Sequence, residues 1–470
     1  MSTERLAASA AFELDELLAA TGGEIERLGA AVRIRGVTTD SRQLEPGELF
    51  VPIRGEHHDG HAYLAEASTR GAAVVLVDRT ASVPLPDCTV VAVVDTLAAL
   101  GDLAAWHRRQ VSAPVLAIAG ANGKTTTKEM LGRIASEAFG EGRVLKTHGS
   151  QNNLVGVPLT MLRVEAGHAV AVLELGMNTP GEVWRLTAIT DPDVGVVTCV
   201  GPEHLEGVGS LHGAAEAEGE LYRRLRPSAV AVVNTDEPLL APSLAAFRGR
   251  RVTFGCGGDV EAHEIEDRGI EGTRFTLRIG EERLPVRLPV AGRHNITNAL
   301  AASAVAHAAG MASEPIRAGL EQAATPSMRM EVRRLSSGAT VLSDCYNANP
   351  ASMQAALQTI GASPARRRLA VLGEMRELGA HAEEAHRDLG RAVAAAHLDG
   401  LYLVGAAMGL VETEARAAGM AAARIVRADD HASIAEQLRV ELRDGDLVLL
   451  KGSRGAALEK VLAELEEAAG

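Results

Sequence analysis

Between the apolar run Val115 to Ala119 and a helical pattern opening at Thr126 lies Gly120-Ala-Asn-Gly-Lys-Thr-Thr126. A buried strand that turns at once into a helix, with glycine on both sides of the turn, leaves few folds open. Glycines at 120 and 123 permit a tight turn whose N–H groups point at phosphate oxygens, and the helix N-terminus adds a favourable dipole. Lys124 then reaches the β- and γ-phosphates and Thr125 holds Mg²⁺. The loop is shorter than the usual form, because Ile118 stands five positions before Gly123. Met130, Leu131, Ile134 and Ala138 recur at helical spacing, so the helix packs one face on a sheet.

A chain of 470 residues has room for about three domains of roughly 150 residues each. Residues 1–110 read as a small α/β module: a helical pattern through Phe12, Leu14, Leu17 and Leu18 ends at Gly22-Gly23, and short strands follow around the turn Pro46-Gly47. Residues 111–327 hold the phosphate loop and three more apolar strands, Ala169 to Leu173, Val194 to Val200 and Val230 to Val233. Strands alternating with helices imply a parallel, doubly wound sheet. Residues 256–290 read as a hairpin insertion, with Phe275, Leu277 and Ile279 alternating before Gly280. From 328 to 470 four further strands alternate with helices in a Rossmann-like unit. The fold class is α/β in three domains: a small N-terminal α/β module, a central phosphate-loop domain with a parallel sheet, and a C-terminal Rossmann-like domain.

Ligands of such sheets gather outside the carboxyl ends of the strands, and the polar residues stand there. Glu174 closes one strand, where a carboxylate can hold Mg²⁺ beside the phosphates. His204 follows the next in Gly201-Pro-Glu-His-Leu-Glu-Gly207, and Asn234 and Asp236 follow the one after. The amides of Asn152 and Asn153 suit a polar substrate. In the last unit Asp344, Asn347 and Asn349 follow the first strand, and Lys451-Gly-Ser-Arg454 follows the last. A basic pair with a serine suits a carboxylate or phosphate. In the first unit Ser41 and Arg42, beside a loop with His57, His58, Asp59 and His61, are either a binding edge for an anionic ligand or solvated turn chemistry.

Lys and Arg number 47 against 61 Asp and Glu, a net charge of −14, which argues against nucleic acid or an anionic membrane as the main partner. Cys88, Cys199, Cys256 and Cys345 are widely separated and suggest neither a zinc site nor a disulfide framework. The first residues lack a basic region followed by an apolar core, and no run approaches a membrane span of about 18 apolar residues. The expectation is a soluble, cytoplasmic protein.

In order and over nearly the whole chain, these motifs resemble the Mur ligases of peptidoglycan synthesis. The resemblance is carried by Asp40-Ser-Arg42, Asp59-Gly-His61, the phosphate loop, Asn152-Asn153, Glu174-Leu-Gly-Met-Asn178, Glu203-His-Leu-Glu-Gly207 and Gly292-Arg-His-Asn-Ile296. It continues through Met328-Arg-Met330, Asp344-Cys-Tyr-Asn-Ala-Asn-Pro350, Leu372-Gly-Glu-Met375 and Lys451-Gly-Ser-Arg454. Asn152-Asn153, the run after Tyr346 and Lys451 to Arg454 are similar to the branch that adds D-alanyl-D-alanine to UDP-N-acetylmuramoyl-tripeptide.

The resemblance implies an ATP- and Mg²⁺-dependent ligase whose three domains hold the UDP-sugar, ATP and the incoming amine in turn; a monomer is the expectation, on which the sequence itself is silent. It implies that Gly120, Asn122, Gly123, Lys124, Thr125 and Thr126 cradle ATP, with Asn295 against the adenine and Asp344 and Asn347 on the ribose side. Thr125, Glu174 and His204 would hold metal. Arg329 would reach the transferred phosphoryl group from the hinge, so that Lys124, Glu174, His204 and Arg329 serve the chemistry. Ser41, Arg42, Asp59, His61, Asn152, Asn153 and Asn349 would contact substrates, and Lys451, Ser453 and Arg454 the dipeptide carboxylate.

One departure concerns Ala217-Glu-Gly-Glu220, where the family usually has a lysine thought to be carbamylated in place of Glu218. Glu218 keeps the negative charge on a shorter arm, and the expectation is that it serves a second Mg²⁺ through water. Two rivals stand beside the dipeptide-adding reading: a sister ligase of muramoyl peptides or folate, and a nucleotide-switched interaction protein that makes no bond.

Overall fold

The computed structural model describes residues 9–29, 33–55, 58–428 and 430–467. Among the described residues three large sheets follow one another along the chain, beside a two-stranded antiparallel pair of Phe12–Glu13 with Arg33–Ile34. The first has five strands in the order Glu24–Arg27, Thr89–Val93, Val74–Asp78, Leu49–Phe50, Val37–Thr38. All its pairings are parallel except that of Glu24–Arg27. Beside it the expected first helix runs Leu14–Thr21 and stops at Gly22, whose φ of 62° is the left-handed conformation in which helices commonly end.

The central sheet has nine strands. Val115–Ala119 lies between Val170–Glu174 and Val194–Val197; Val144–Lys146 forms one edge, and Val230–Asn234 and Arg250–Phe254 continue toward the other. These pairings are all parallel. The strand Val115–Ala119 is buried throughout, as its unbroken apolar run requires in a sheet covered on both faces. The helix Lys124–Phe139 returns over it with Met130, Leu131, Ile134 and Ala135 buried. The third apolar strand stops at Val197, three residues earlier than its sequence suggests, because Thr198 and Cys199 turn to wrap the phosphate loop.

Residues 256–290 contain the expected hairpin, Thr273–Ile279 turning through Gly280 into antiparallel Glu282–Leu288, and it is built into the central sheet. Val260–Asp267 joins the sheet in parallel beside Phe254, and Thr273–Ile279 and Glu282–Leu288 extend it as antiparallel strands. The alternation of Phe275, Leu277 and Ile279 buries those side chains in the same core as the alanine-rich helix Asn295–Ala308.

The last sheet runs Glu331–Arg334, Thr340–Asp344, Asp446–Lys451, Arg367–Gly373, Gly400–Val404, Ile425–Ala428, parallel except at the first strand. Of the two edge strands, Glu331–Arg334 is mostly exposed and Ile425–Ala428 part-buried, and both are too short and too interrupted by arginine for periodicity to find. Separate cores cover the two faces of this sheet. The first two units, by contrast, share one core that passes from Phe12, Leu17, Leu100 and Leu103 to Val115, Ala117, Leu173 and Leu186. Arg108 locks that junction, donating to Thr190 O at 2.9 Å and pairing with Asp193 at 2.9 Å. Among the described residues all four cysteines are free, and no helix is long and apolar enough to cross a membrane.

Tyr222 ties the central sheet behind the loop: its buried hydroxyl accepts from Val197 N at 3.1 Å and donates to Val232 O at 2.6 Å. Tyr222→Phe strands both backbone groups and is expected to cost about 1–3 kcal/mol, read as a lower urea midpoint with the folded-state circular dichroism unchanged.

Candidate active site

The phosphate loop is shaped by what surrounds it. Gly120 has φ 121°, and a Cβ there would lie 2.2 Å from Thr198 Oγ1; Gly123 has φ 83°, and its Cβ would lie 2.0 Å from Asn298 Oδ1. Only glycine fits both the backbone angle and the space. Thr198 Oγ1 donates to Asn122 O at 2.6 Å, and Ala121 N donates to Cys199 O at 2.9 Å. The helix Lys124–Phe139 begins at Gly123 with no side-chain cap, so its first N–H groups are free for an anion.

Lys124 folds back over this turn, donating to Gly120 O at 2.5 Å and Ala121 O at 3.3 Å, with Glu203 Oε2 at 3.9 Å. Burial works against its charge, yet Glu203, Glu218 and Glu174 outweigh that penalty and raise its pKa. Glu174, the last residue of its strand, accepts on Oε1 from Thr125 Oγ1 at 3.1 Å and Asn152 Nδ2 at 2.8 Å. Its Oε2 is buried with no hydrogen-bond partner and has Lys128 Nζ at 3.5 Å. Lys128, one helical turn after Lys124, is itself fully buried and donates to Gly149 O at 2.6 Å.

Across from the loop stands the last unit. Arg329 lies with its guanidinium 4.0 Å from the centre of the Tyr346 ring, between Met328 and Met330 at φ 58° and 59°. Asn349 caps the helix Pro350–Ala362 and donates through Nδ2 to Asn122 Oδ1 at 2.9 Å, touching the phosphate loop directly. Between the two sides is a cavity of about 510 Å³ lined by Asn122 to Thr126, Asn152, Asn153, Glu174, Glu203, His204, Asn295, Arg329, Asp344, Asn347, Asn349 and Lys451, among others. That volume suits a nucleotide-sized ligand.

Known proteins with this arrangement match the chain in sequence and in structure. Descriptions of the Mur ligase family catalytic domain, the Mur ligase middle domain and the Mur ligase glutamate ligase domain match residues 33–108, 118–306 and 328–454. The UDP-N-acetylmuramoyl-tripeptide–D-alanyl-D-alanine ligase of Escherichia coli (strain K12) is 37% identical over 460 residues, 97% of this chain and 98% of that one. The chain belongs to the Mur ligase family. Its namesake in Bacillus subtilis (strain 168) is 35% identical over 92% of this chain and 93% of its own. Among solved structures, MurF from Acinetobacter baumannii aligns with a TM-score of 0.88 at 33% identity, covering 97% of this chain and 99% of that one. MurF ligase from Thermotoga maritima in complex with ADP aligns at 0.81 with 28% identity, covering 92% and 97%.

In this Mur ligase the cleft collects most of the expected residues and leaves some out. Asn295 lines it, though each end of its amide already has a partner, Ala291 O and Asn298 Nδ2. Asp344 pairs with buried Lys451 at 2.5 Å and accepts from Met330 N at 3.2 Å, so Lys451 is committed to the hinge rather than free for a dipeptide carboxylate. Ser453 is also a brace: its buried hydroxyl donates to Glu374 O and accepts from Arg376 N. Arg454 lies on the surface, paired with Glu459 at 2.9 Å.

In the first unit His61 is buried, with Nδ1 at 2.6 Å from Asp59 and Nε2 accepting from Asp78 N at 3.1 Å. It is a structural tie rather than an open ligand group. Ser41 bonds Glu66 at 3.2 Å, and Arg42 is exposed and held by Asp40. Ser41, Arg42, Asp59 and His61 do not line the cleft around the phosphate loop. His57 lies outside the described residues.

Glu218 requires a larger correction. It is neither exposed nor in the cavity: it is buried beneath the loop, with Oε2 accepting from Gly120 N at 2.7 Å. Three groups escape sequence reasoning. Lys128 lies two residues past the recognised phosphate loop, Glu203 stands within a motif whose histidine drew attention, and Glu377, 2.7 Å from His204 Nδ1, is brought in only by the fold.

Burial is the main cause that pushes Glu218 up to about 7 from an ordinary value of 4.5, against the pull of Lys124. A raised carboxyl stabilises the folded ligand-free protein fully below pH 4.5, and the contribution is lost as pH rises through about 7. Glu218→Gln keeps an acceptor for Gly120 N and removes the titration. The variant's stability relative to wild type is expected to rise between those two pH values. A difference that stays flat in urea melts across this window would show Glu218 ionised throughout.

Proposed function

We propose that this chain joins D-alanyl-D-alanine to UDP-N-acetylmuramoyl-tripeptide with conversion of ATP to ADP and phosphate, supplying the pentapeptide precursor of peptidoglycan. The observation that carries the reading is the cleft itself, in which an open phosphate cradle, a metal-competent carboxylate and an arginine from a separate unit face one cavity. A protein that only switched with nucleotide has little use for that arrangement, and the similarity to dipeptide-adding relatives disfavours a sister ligase.

A carboxylate is not attacked by an amine directly, because oxide is too poor a leaving group. In the proposed reaction a tripeptide carboxylate oxygen attacks the γ-phosphorus and ADP leaves. The amine nitrogen of the dipeptide then attacks the acyl carbon, phosphate leaves and the amine gives up a proton. Phosphoryl transfer asks the protein for positioning and charge neutralisation. The amides at the start of Lys124–Phe139 and Lys124 hold the phosphates, and Arg329 meets the transferred group from the far wall. Thr125 and Glu174 would hold Mg²⁺, a fit supported by the unpartnered Glu174 Oε2. Among the described residues no three His, Cys, Asp or Glu side chains could hold a metal by themselves, and Mg²⁺ characteristically completes its shell with phosphate and water. The bound ion supplies neutralisation of the phosphate charge.

In this reading residues 1–110 hold the UDP-sugar, 111–327 ATP and 328–470 the dipeptide. Asn295 lies beside the adenine, Asp344 and Asn347 on the ribose side, and Asn152, Asn153 and Asn349 near the acceptor. The protein works in the cytoplasm as a monomer, serving cell shape and division, with no nucleic-acid partner.

The test is phosphate release from Mg·ATP with UDP-muramoyl tripeptide and D-alanyl-D-alanine, each omitted in turn. Release is expected only with both, together with a product heavier by one dipeptide residue. Release with single amino acids or folate instead would assign a sister reaction, and release with no acceptor at all would favour the switch.

A further inference from the structure

We infer that Glu203 is a cation-holding carboxylate of the cleft, acting with Nε2 of His204, and that Glu377 is the positioning residue that aims this histidine from the last unit. The inference rests on the reading of the cleft as a Mg·ATP site and concerns which residues of this chain serve the second divalent cation that the family resemblance already implies there.

Two carboxylate oxygens lining the cavity are buried without a hydrogen-bond partner, Glu174 Oε2 and Glu203 Oε2. The first belongs to the Thr125 corner already described. The second forms, among the described residues, a long ion pair with Lys124 Nζ at 3.9 Å. The other oxygen of Glu203 has Asn347 Nδ2 at 3.5 Å and His204 Nε2 at 3.6 Å, both at or beyond the outer limit of a hydrogen bond. A carboxylate 13% exposed and so weakly satisfied is poorly explained as a structural element. When phosphates enter the cradle they draw Lys124 to themselves, and Glu203 loses its nearest positive charge. A divalent cation replaces that charge.

His204 is held for this purpose. It has φ 51°, a conformation that is costly for a non-glycine residue and is kept where surroundings enforce it. Its Nδ1 lies 2.7 Å from Oε2 of Glu377, which itself has φ 63°. A carboxylate on Nδ1 fixes the ring and leaves Nε2 facing Glu203, the arrangement by which outer carboxylates aim metal-binding histidines. Two cis ligands of octahedral Mg²⁺ at about 2.1 Å stand about 3.0 Å apart, so Glu203 Oε1 and His204 Nε2 need only a small approach. Glu218 cannot take this part, since it lies outside the cavity with Oε2 on Gly120 N. Glu377 belongs to the last unit, so the position is complete only when that unit is docked. Leu205 and Leu378, the residues that follow the pair, share one apolar core at the contact.

The test uses Mn²⁺ as the probe, titrated by electron paramagnetic resonance into the full chain with a non-hydrolysable ATP analogue. Wild type is expected to bind two ions. Glu203→Gln should weaken one of them at least about ten-fold, and Glu377→Gln about ten-fold, with metal-free ADP affinity changed less than three-fold in each. Glu218→Gln should keep both. Glu377 is 58% exposed on its side chain, so its variant tests the inference independently of any folding defect at Glu203. Two tight ions retained in both Glu203→Gln and Glu377→Gln, or one lost in Glu218→Gln, would overturn the inference and leave the ATP site standing. A wild-type chain that bound neither analogue nor Mn²⁺ would overturn both.

Discussion

The turn between Val115–Ala119 and Lys124–Phe139 is the constraint on which the rest depends. Its amides can face phosphate only if the chain takes positive φ at Gly120 and Gly123, and neighbours leave no room for a Cβ at either. Thr198 and Cys199 grip the loop from one side, Asn298 abuts Gly123 from another, and Glu218 anchors Gly120 from below. Each comes from a different element of the central unit. The nine-stranded sheet thus acts as a jig for a few backbone amides, preorganised so that binding spends little ordering free energy.

Charge is arranged around this jig in alternation. Lys124 sits among three glutamates, Lys128 faces Glu174 from inside the helix, and Lys451 pairs with Asp344 on the neighbouring strand of the last sheet. An acidic protein meets an anionic ligand here by placing its few buried cations where the phosphates go. The carboxylates that balance them are the ones to which the proposed reaction assigns metal.

Much of this was legible in the chain and some was not. Glycine, lysine and threonine in the loop announce their roles because no other residues satisfy that geometry, and buried strands announce themselves by apolar runs. The carboxylate of Glu174 was readable because strand ends are where ligands collect. Hydrogen-bond partnership is a different matter. Nothing in the sequence says that His61 is taken by Asp59 and Asp78 N, or Ser453 by Glu374 O and Arg376 N. Polar residues in a recognised motif can bind a ligand or hold the loop that does, and only the fold assigns them. Glu218 shows the same ambiguity: one negative charge on a helix reads equally well as a metal ligand or as an anchor beneath a glycine. The hairpin within residues 256–290 was readable from alternation, but its attachment to the central sheet through Val260–Asp267 was not, because alternation defines strands and not the sheet they join.

Three family segments divide this chain by descent, but its cores divide it differently. Phe12, Leu100 and Leu103 pack in the same interior as Val115 and Leu173, whereas the last unit has one core wholly its own and shares the other only at its margin, with Leu205 and Ala291. Mechanically there are two bodies with one cleft between them. Inherited boundaries and packing boundaries therefore do not coincide, and the first unit, beside a small core of its own, owes much of its packing to a neighbour. Evolution could exchange the last body as a module, but a foreign first unit would have to bring half of someone else's interior with it.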